Sequence, residues 1–334
     1  MTKTYIPKDY KPMFNILEME IAIKHIKDFF EVELAKTLNL TRISAPLFVE
    51  RETGLNDNLS GTERPVNFEM LDNPNKNIEI VHSLAKWKRD ALKRYGFKEY
   101  EGIYTDMNAI RRDEILDNLH SIYVDQWDWE KIIKKEDRNI EYLKETVKKI
   151  YKVFLKTEKM LQIIYDDYVP FLANEIKFIS SEELLQKYPD KSQKERENLI
   201  AKEYKAVFIT QIGDKLSDGY KHDDRAPDYD DWSLNGDIIV YNEVLDSAFE
   251  LSSMGIRVDK DKLIDQLEKA NISEKTKYHN MIINEELPLT MGGGIGQSRI
   301  CMLFLKTAHI GEVQASIWND EIEEDCKKNN INLL

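Results

Sequence analysis

From about Met13 to Leu38 the chain places Ile26, Phe30, Leu34 and Leu38 four residues apart, the spacing of one helical face. A longer helix is predicted over roughly Glu130 to Tyr165, where Ile140, Leu143, Val147, Ile150, Phe154 and Leu161 form an apolar packing stripe. Ser180 with Glu183 makes a capping box for a further helix. Extended segments are predicted at Arg42–Val49, Ile78–Val81, Ile103–Arg111, Leu119–Glu130, Ala206–Ile212, Ile238–Tyr241 and Ala248–Val258. Pro46 suits the first of these to an edge or interface, because proline has no N–H to give a ladder. Ile78–Val81 runs into a helix near Ser83–Tyr95, a polar, turn-rich loop covers Glu52–Gly61, and the turn Arg112–Asn118 is acidic. A glycine-rich turn from Gly292 enters a helix over Gln297–Lys306. Strands come in consecutive runs and not in strict alternation with helices. The expected fold is therefore α+β, a central antiparallel sheet flanked by helices, in a single catalytic domain over residues 1–334.

Composition narrows the class. With 334 residues, 42% hydrophobic and 33% charged, the chain has ordinary globular composition and length for a large core. Cys301 and Cys326 are its two cysteines, which excludes a disulfide framework and fits a reducing compartment. The net charge of −13 lowers the expectation of nucleic-acid binding, which needs a field of Lys and Arg. No apolar run is long enough to span a bilayer, and MTKTYIPKDYKPM lacks the apolar stretch of a secretory signal. These features imply a cytoplasmic protein with no membrane or nucleic-acid partner.

Six segments carry candidate chemistry. GGGIGQSR, Gly292–Arg299, is neither a Walker loop nor a dinucleotide fingerprint. Its missing side chains let the backbone approach a flat or anionic ligand, the following helix start offers free N–H groups, and Arg299 adds a cation. A tight turn with a surface arginine fits the string equally well. HSIYVDQWDWE, His120–Glu130, alternates so that Gln126, Asp128 and Glu130 share one face. A solvated face would leave them unremarkable, and a covered one would demand partners. Asp57 lies in the loop 53–61, where an aspartate often serves a turn. In HSLAKWKR, His82–Arg89, Ser83 reads as a helix N-cap and the cations as solvated. LSDGYKHDDRAPDYDDW, Leu216–Trp232, is aspartate-rich without metal-specific spacing. In FELSSMGIR, Phe249–Arg257, Glu250 stands in an apolar run and calls for a paired cation.

In this order the pieces resemble the class II aminoacyl-tRNA synthetase catalytic core. The segment around Pro46 is similar to its first motif, a dimer-interface element; Arg111–Glu130 to the second, whose arginine binds the ATP α-phosphate; and Gly294–Arg299 to the third, whose arginine binds the γ-phosphate. DNLSG, HSLAKWKR, SIYVDQWDWE, RAPDYDDW, FELSSMGIRV and GGGIGQSR bring the chain closer still to the ammonia-dependent asparagine synthetases, the aspartate–ammonia ligases. One departure is a short stretch between Trp232 and Asn235, where the family suggests a longer loop.

That resemblance implies an AMP-forming ligase that makes L-asparagine from L-aspartate, ATP and ammonia through a β-aspartyl-adenylate. It implies Arg111, Gly294, Gly296 and Arg299 at the nucleotide; Ser83, Lys88, Gln126, Asp128, Asp230 and Ser252 at the substrate; and Asp237, Glu250 and Ser253 holding Mg²⁺ with the ATP. Asp57 would bind ammonium and take its proton. A homodimer follows from the first-motif likeness. A truncated tRNA ligase and a non-catalytic regulatory paralogue are the rival readings. The absence of room for an anticodon-binding domain argues against the first, and the presence of both phosphate arginines against the second.

Overall fold

The computed structural model describes residues 4–59 and 63–334; Ser60 and Gly61, at the end of the loop expected over 52–61, lie outside them. Helix α1, Ile16–Leu38, opens with a reciprocal Asn15/Glu18 capping box and buries Met19, Ile23, Ile26, Phe30, Leu34 and Leu38 on one side. Strands β1, Leu40–Arg42, and β2, Phe48–Glu50, follow. They belong to different sheets, so the single extended segment expected over 42–49 is broken in two, with Pro46 in the connection. β3, Asn67–Met70, and β4, Asn73–Ile80, complete a small three-stranded sheet with β2.

Helix α2, Ala85–Arg94, leads to β5, Gly102–Ile110, and β6, Tyr123–Ile132. Helix α3 spans Ile140–Ile164 and is capped by Asn139; it starts later than expected because β6 runs on to Ile132. Then come β7, Lys177–Ser180; α4, Ser181–Lys187; α5, Gln193–Tyr204; β8, Ala206–Thr210; β9, Asp230–Asn242; and β10, Ser247–Arg257. The Ser180/Glu183 capping box is formed. The chain closes with α6, Lys260–Lys269; α7, Lys277–Ile283; β11, Thr290–Gly296; α8, Gln297–Phe304; and α9, Asp320–Lys328. β9 passes straight through 232–235, where the family suggested a loop. The glycine string is a strand and not a turn.

The main sheet has the order β1-β5-β6-β11-β10-β9-β8-β7. Pairing from β5 to β8 is antiparallel throughout, with parallel strands only at the two edges. Trp127 and Trp129 of β6 point into the core built with α1 and α3, where Phe30 stacks on Trp127 at 4.9 Å. The opposite face meets α2 at one end and α5 at the other, and between them lies a cleft. Among the described residues no helix is long and apolar enough to cross a membrane.

Candidate active site

The register of β6 against β11 sets Gln126 opposite Gly296, Asp128 opposite Gly294 and Glu130 opposite Gly292. Cross-strand neighbours share a face, and the missing side chains of Gly292 and Gly294 leave room for Glu130, Gln126 and Asp128. A Cβ on Gly292 would lie 1.9 Å from Glu130 Oε2, and one on Gly294 would lie 2.4 Å from Gln126 Oε1 and 2.8 Å from Asp128 Oδ1. Glycine is required there by close approach. The face is covered, and its carboxylates are paired. Arg257, at the end of β10, gives Glu130 a fork from Nε at 3.0 Å and Nη2 at 2.6 Å, and reaches Asp230 Oδ1 through Nη1 at 2.5 Å. Lys88 Nζ lies 3.4 Å from Asp128 Oδ2 and donates to the Gly293 carbonyl at 3.1 Å.

Lys88, Asp128, Asp230 and Arg257 line a cleft of about 620 Å³, and Glu130, fully buried, holds Arg257 from outside it. Two buried cations, Lys88 and Arg257, face three buried carboxylates, Asp128, Glu130 and Asp230. Burial raises the Glu130 carboxyl, but Arg257 outweighs it and holds the group below its ordinary value. Burial prevails at Asp230, which is raised in spite of Arg257, and at Lys88, which is lowered in spite of Asp128.

Asp57 forms one side wall. It is buried and accepts from Ser83 Oγ at 2.8 Å and from the Leu59 N–H at 2.9 Å. Ser83 is not the N-cap of α2; that position is Leu84, without a side-chain cap, and the Ser83 hydroxyl is directed to Asp57. Lys86, Lys88 and Arg89 are buried and not solvated, because each finds an acceptor. Lys86 pairs with Asp228 at 2.8 Å, and Arg89 donates to the Pro288 and Val258 carbonyls.

Two further arginines, Arg111 and Arg299, line the same cleft. Arg111 follows β5, and its Nε is buried with no hydrogen-bond partner. Arg299, in the first turn of α8, donates from Nη1 to the Glu250 carbonyl at 3.1 Å and lies 3.6 Å from the Glu250 carboxylate. Both guanidinium groups line the same cleft as Asp57, Ser83, Lys88, Gln126, Asp128, Asp230, Glu250, Ser252, Ser253, Gly294 and Gly296. Ser252 Oγ donates to the Gly294 carbonyl at 2.9 Å. Asp237 lies in the adjoining recess of about 520 Å³, which Glu250 and Arg299 also line.

Asp237 pairs with Arg225 through Oδ2, while its Oδ1 is buried without a partner. Burial pushes its carboxyl above the ordinary value, and nearby Glu250 adds to the effect against Arg225. An orphaned, electron-rich oxygen beside a second carboxylate fits a divalent cation. Among the described residues no three His, Cys, Asp or Glu side chains cluster to hold a metal.

Arg257, Arg225 and Tyr229 also line the cleft, and no motif in the sequence gives them a role. A signal for Arg257 was present: it is a charge ending a mostly apolar strand, the same pattern that singled out Glu250.

A family profile described as aspartate-ammonia ligase matches residues 17–330. The aspartate–ammonia ligase of Clostridium perfringens strain SM101 is 60% identical over 336 residues, covering 100% of both chains. That of Ruminiclostridium cellulolyticum is 60% identical over 330 residues, 98% of each. Among solved structures, asparaginyl-tRNA synthetase of Entamoeba histolytica in complex with asparaginyl-adenylate aligns with a TM-score of 0.63 at 11% identity, covering 90% of this chain and 66% of that one. The Pyrococcus horikoshii asparaginyl-tRNA synthetase complexed with asparaginyl-adenylate aligns with a TM-score of 0.64 at 15% identity, covering 89% and 68%. These synthetases share the fold, and this chain spans about two thirds of their length. With a matching profile over nearly all its length and full-length relatives at 60% identity, the chain belongs to the aspartate-ammonia ligase family.

Proposed function

We propose that the protein joins ammonia to L-aspartate at the expense of ATP, through a β-aspartyl-adenylate, releasing pyrophosphate and then AMP. The observation that carries this reading is the convergence of Arg111 and Arg299 on one cleft that Asp57, Lys88, Asp128 and Asp230 also line. Attack of a carboxylate on the α-phosphate brings two anions together, so positive charge has to be in place beforehand. Guanidinium forks match phosphate oxygens, and the unpartnered Arg111 Nε is a donor kept free for such a ligand. Arg111 is assigned to the α-phosphate and Arg299 to the γ-phosphate. Gly294 and Gly296 are assigned to the nucleotide through their backbone, which lines the cleft.

Lys88 is assigned to a carboxylate of aspartate, and Ser83, Gln126, Asp128, Asp230 and Ser252 to its orientation. Asp57 binds ammonium and accepts its proton before the nitrogen attacks the activated carbonyl. The acylated oxygen leaves with AMP. Asp237, Glu250 and Ser253 would hold Mg²⁺, which when bound neutralises developing charge on the phosphates. Phe48 and Phe68, exposed and in edge contact at 5.6 Å on the small sheet, support association as a homodimer through that side.

The test is a product assay on purified protein. AMP should accumulate over many turnovers only when aspartate, ATP, Mg²⁺ and ammonia are all present, and added tRNA should leave the rate unchanged. Turnover to ADP, or sustained AMP formation without ammonia, would remove the proposed reaction.

A further inference from the structure

Helix α8 carries Arg299 at its third position, yet it begins without a cap of its own. Its N-cap is Gly296, which has no side chain to accept a hydrogen bond. The first-turn N–H groups of a helix need an outside acceptor, and here one comes from another strand. Asp125 of β6 accepts from Ser298 N at 3.0 Å through Oδ1 and from Ser298 Oγ at 2.8 Å through Oδ2. Gln314 Nε2 donates to the same Oδ1 at 3.3 Å and to Ser298 Oγ at 3.0 Å. Lys27 of α1 closes the set from behind, 3.0 Å from Oδ2. One buried carboxylate thus collects four donor contacts from three parts of the chain.

Asp125 alternates with Gln126 and Asp128 along β6, and with Ser298 and Gln314 it borders the same cleft, its two carboxylate oxygens taken up by the donors just named. It therefore joins the strand that carries part of the aspartate wall to the helix that carries Arg299. The geometry points to Asp125 as a positioning residue that caps α8 from β6 and so fixes the Arg299 guanidinium for the nucleotide; this rests on the reading of Arg299 as a phosphate ligand. Lys27 and Gln314 hold the carboxylate in the orientation the cap needs. A carboxylate also suits the positive end of the helix dipole.

The test compares wild type with Asp125→Asn and Asp125→Glu, using calorimetric Mg²⁺-ATP affinity and separate KM values for ATP and aspartate. A small misplacement of a charged contact is costly, so Asp125→Asn should weaken ATP binding about tenfold and shift the aspartate KM by less than about twofold. Asp125→Glu, which keeps the charge, should recover part of the loss. Unchanged ATP affinity, or both KM values rising by the same factor, would overturn the assignment. If Asp125→Asn does not fold, Ser298→Ala, which removes a single hydroxyl from the set, decides: about a threefold weaker ATP affinity supports it, and no change refutes it. Wild-type protein that binds ATP but forms no AMP would refute the ligase reading, and the affinity comparison would still decide the role of Asp125.

Discussion

Arg111 and Arg299 are far apart in sequence and line one cleft, and in the proposed reaction each stabilises charge that builds on a triphosphate. Replacing either by alanine should cost about 3 kcal/mol of transition-state stabilisation, roughly a hundredfold in kcat/KM; steady-state kinetics at saturating ammonia would show this, and near-normal turnover would refute that arginine's role. Arg257 predicts a different outcome. Arg257→Met strands Glu130 and Asp230, which it now pairs in the buried floor, so the variant should lose about 3–5 kcal/mol of stability in denaturant melts. A loss below about 1 kcal/mol would mean that water or another cation replaces it. The residues named from motif strings were legible because their types are unusual for their patterns. Arg225 was not, because its partner Asp237 comes from a strand whose start the pattern did not reveal.

At the scale of elements, β11 is the strand whose sequence pattern points elsewhere. Glycine is depleted in strands, so a run of glycines reads as a turn. Here Gly292 and Gly294 give room to polar side chains on β6 and Gly296 to Arg299 of α8, so the reason lies in the neighbouring elements. β9 was half missed for a related cause: Asp230 and Asp237 are buried polar positions, so no apolar alternation marks its first half. The long helices were plain, since α1 and α3 each bury a single stripe. Gly294→Ala tests the packing of β11. Its Cβ would meet Gln126 Oε1 at 2.4 Å, so the variant should lose about 1–3 kcal/mol of stability and displace Gln126, lowering kcat/KM for aspartate. Wild-type stability with wild-type kinetics would show that the strand has room to spare.

For the molecule as a whole, the antiparallel centre and flanking helices follow from the order of patterns, whereas the convergence of distant motifs on one cleft is a tertiary fact visible only in the fold. Stability should depend on pH through His309, which is fully buried against Trp318 and accepts from the Gly311 N–H through Nδ1. Burial lowers its pKa from 6.5 to about 4. Between those values the unfolded chain binds the proton and the folded one does not, so stability rises with pH. The contribution is complete above about pH 6.5, is lost progressively as pH falls towards about 4, and amounts to roughly 3 kcal/mol. Urea melts across this window should show a shallower slope for His309→Gln than for wild type; equal slopes would contradict it. The most direct test of the whole account follows the oxygen of the substrate. With aspartate carrying heavy oxygen at both positions of its side-chain carboxylate, each turnover should transfer one labelled oxygen to AMP and leave the other in asparagine. Label in inorganic phosphate, or none in AMP, would contradict activation of the aspartate side chain as an adenylate.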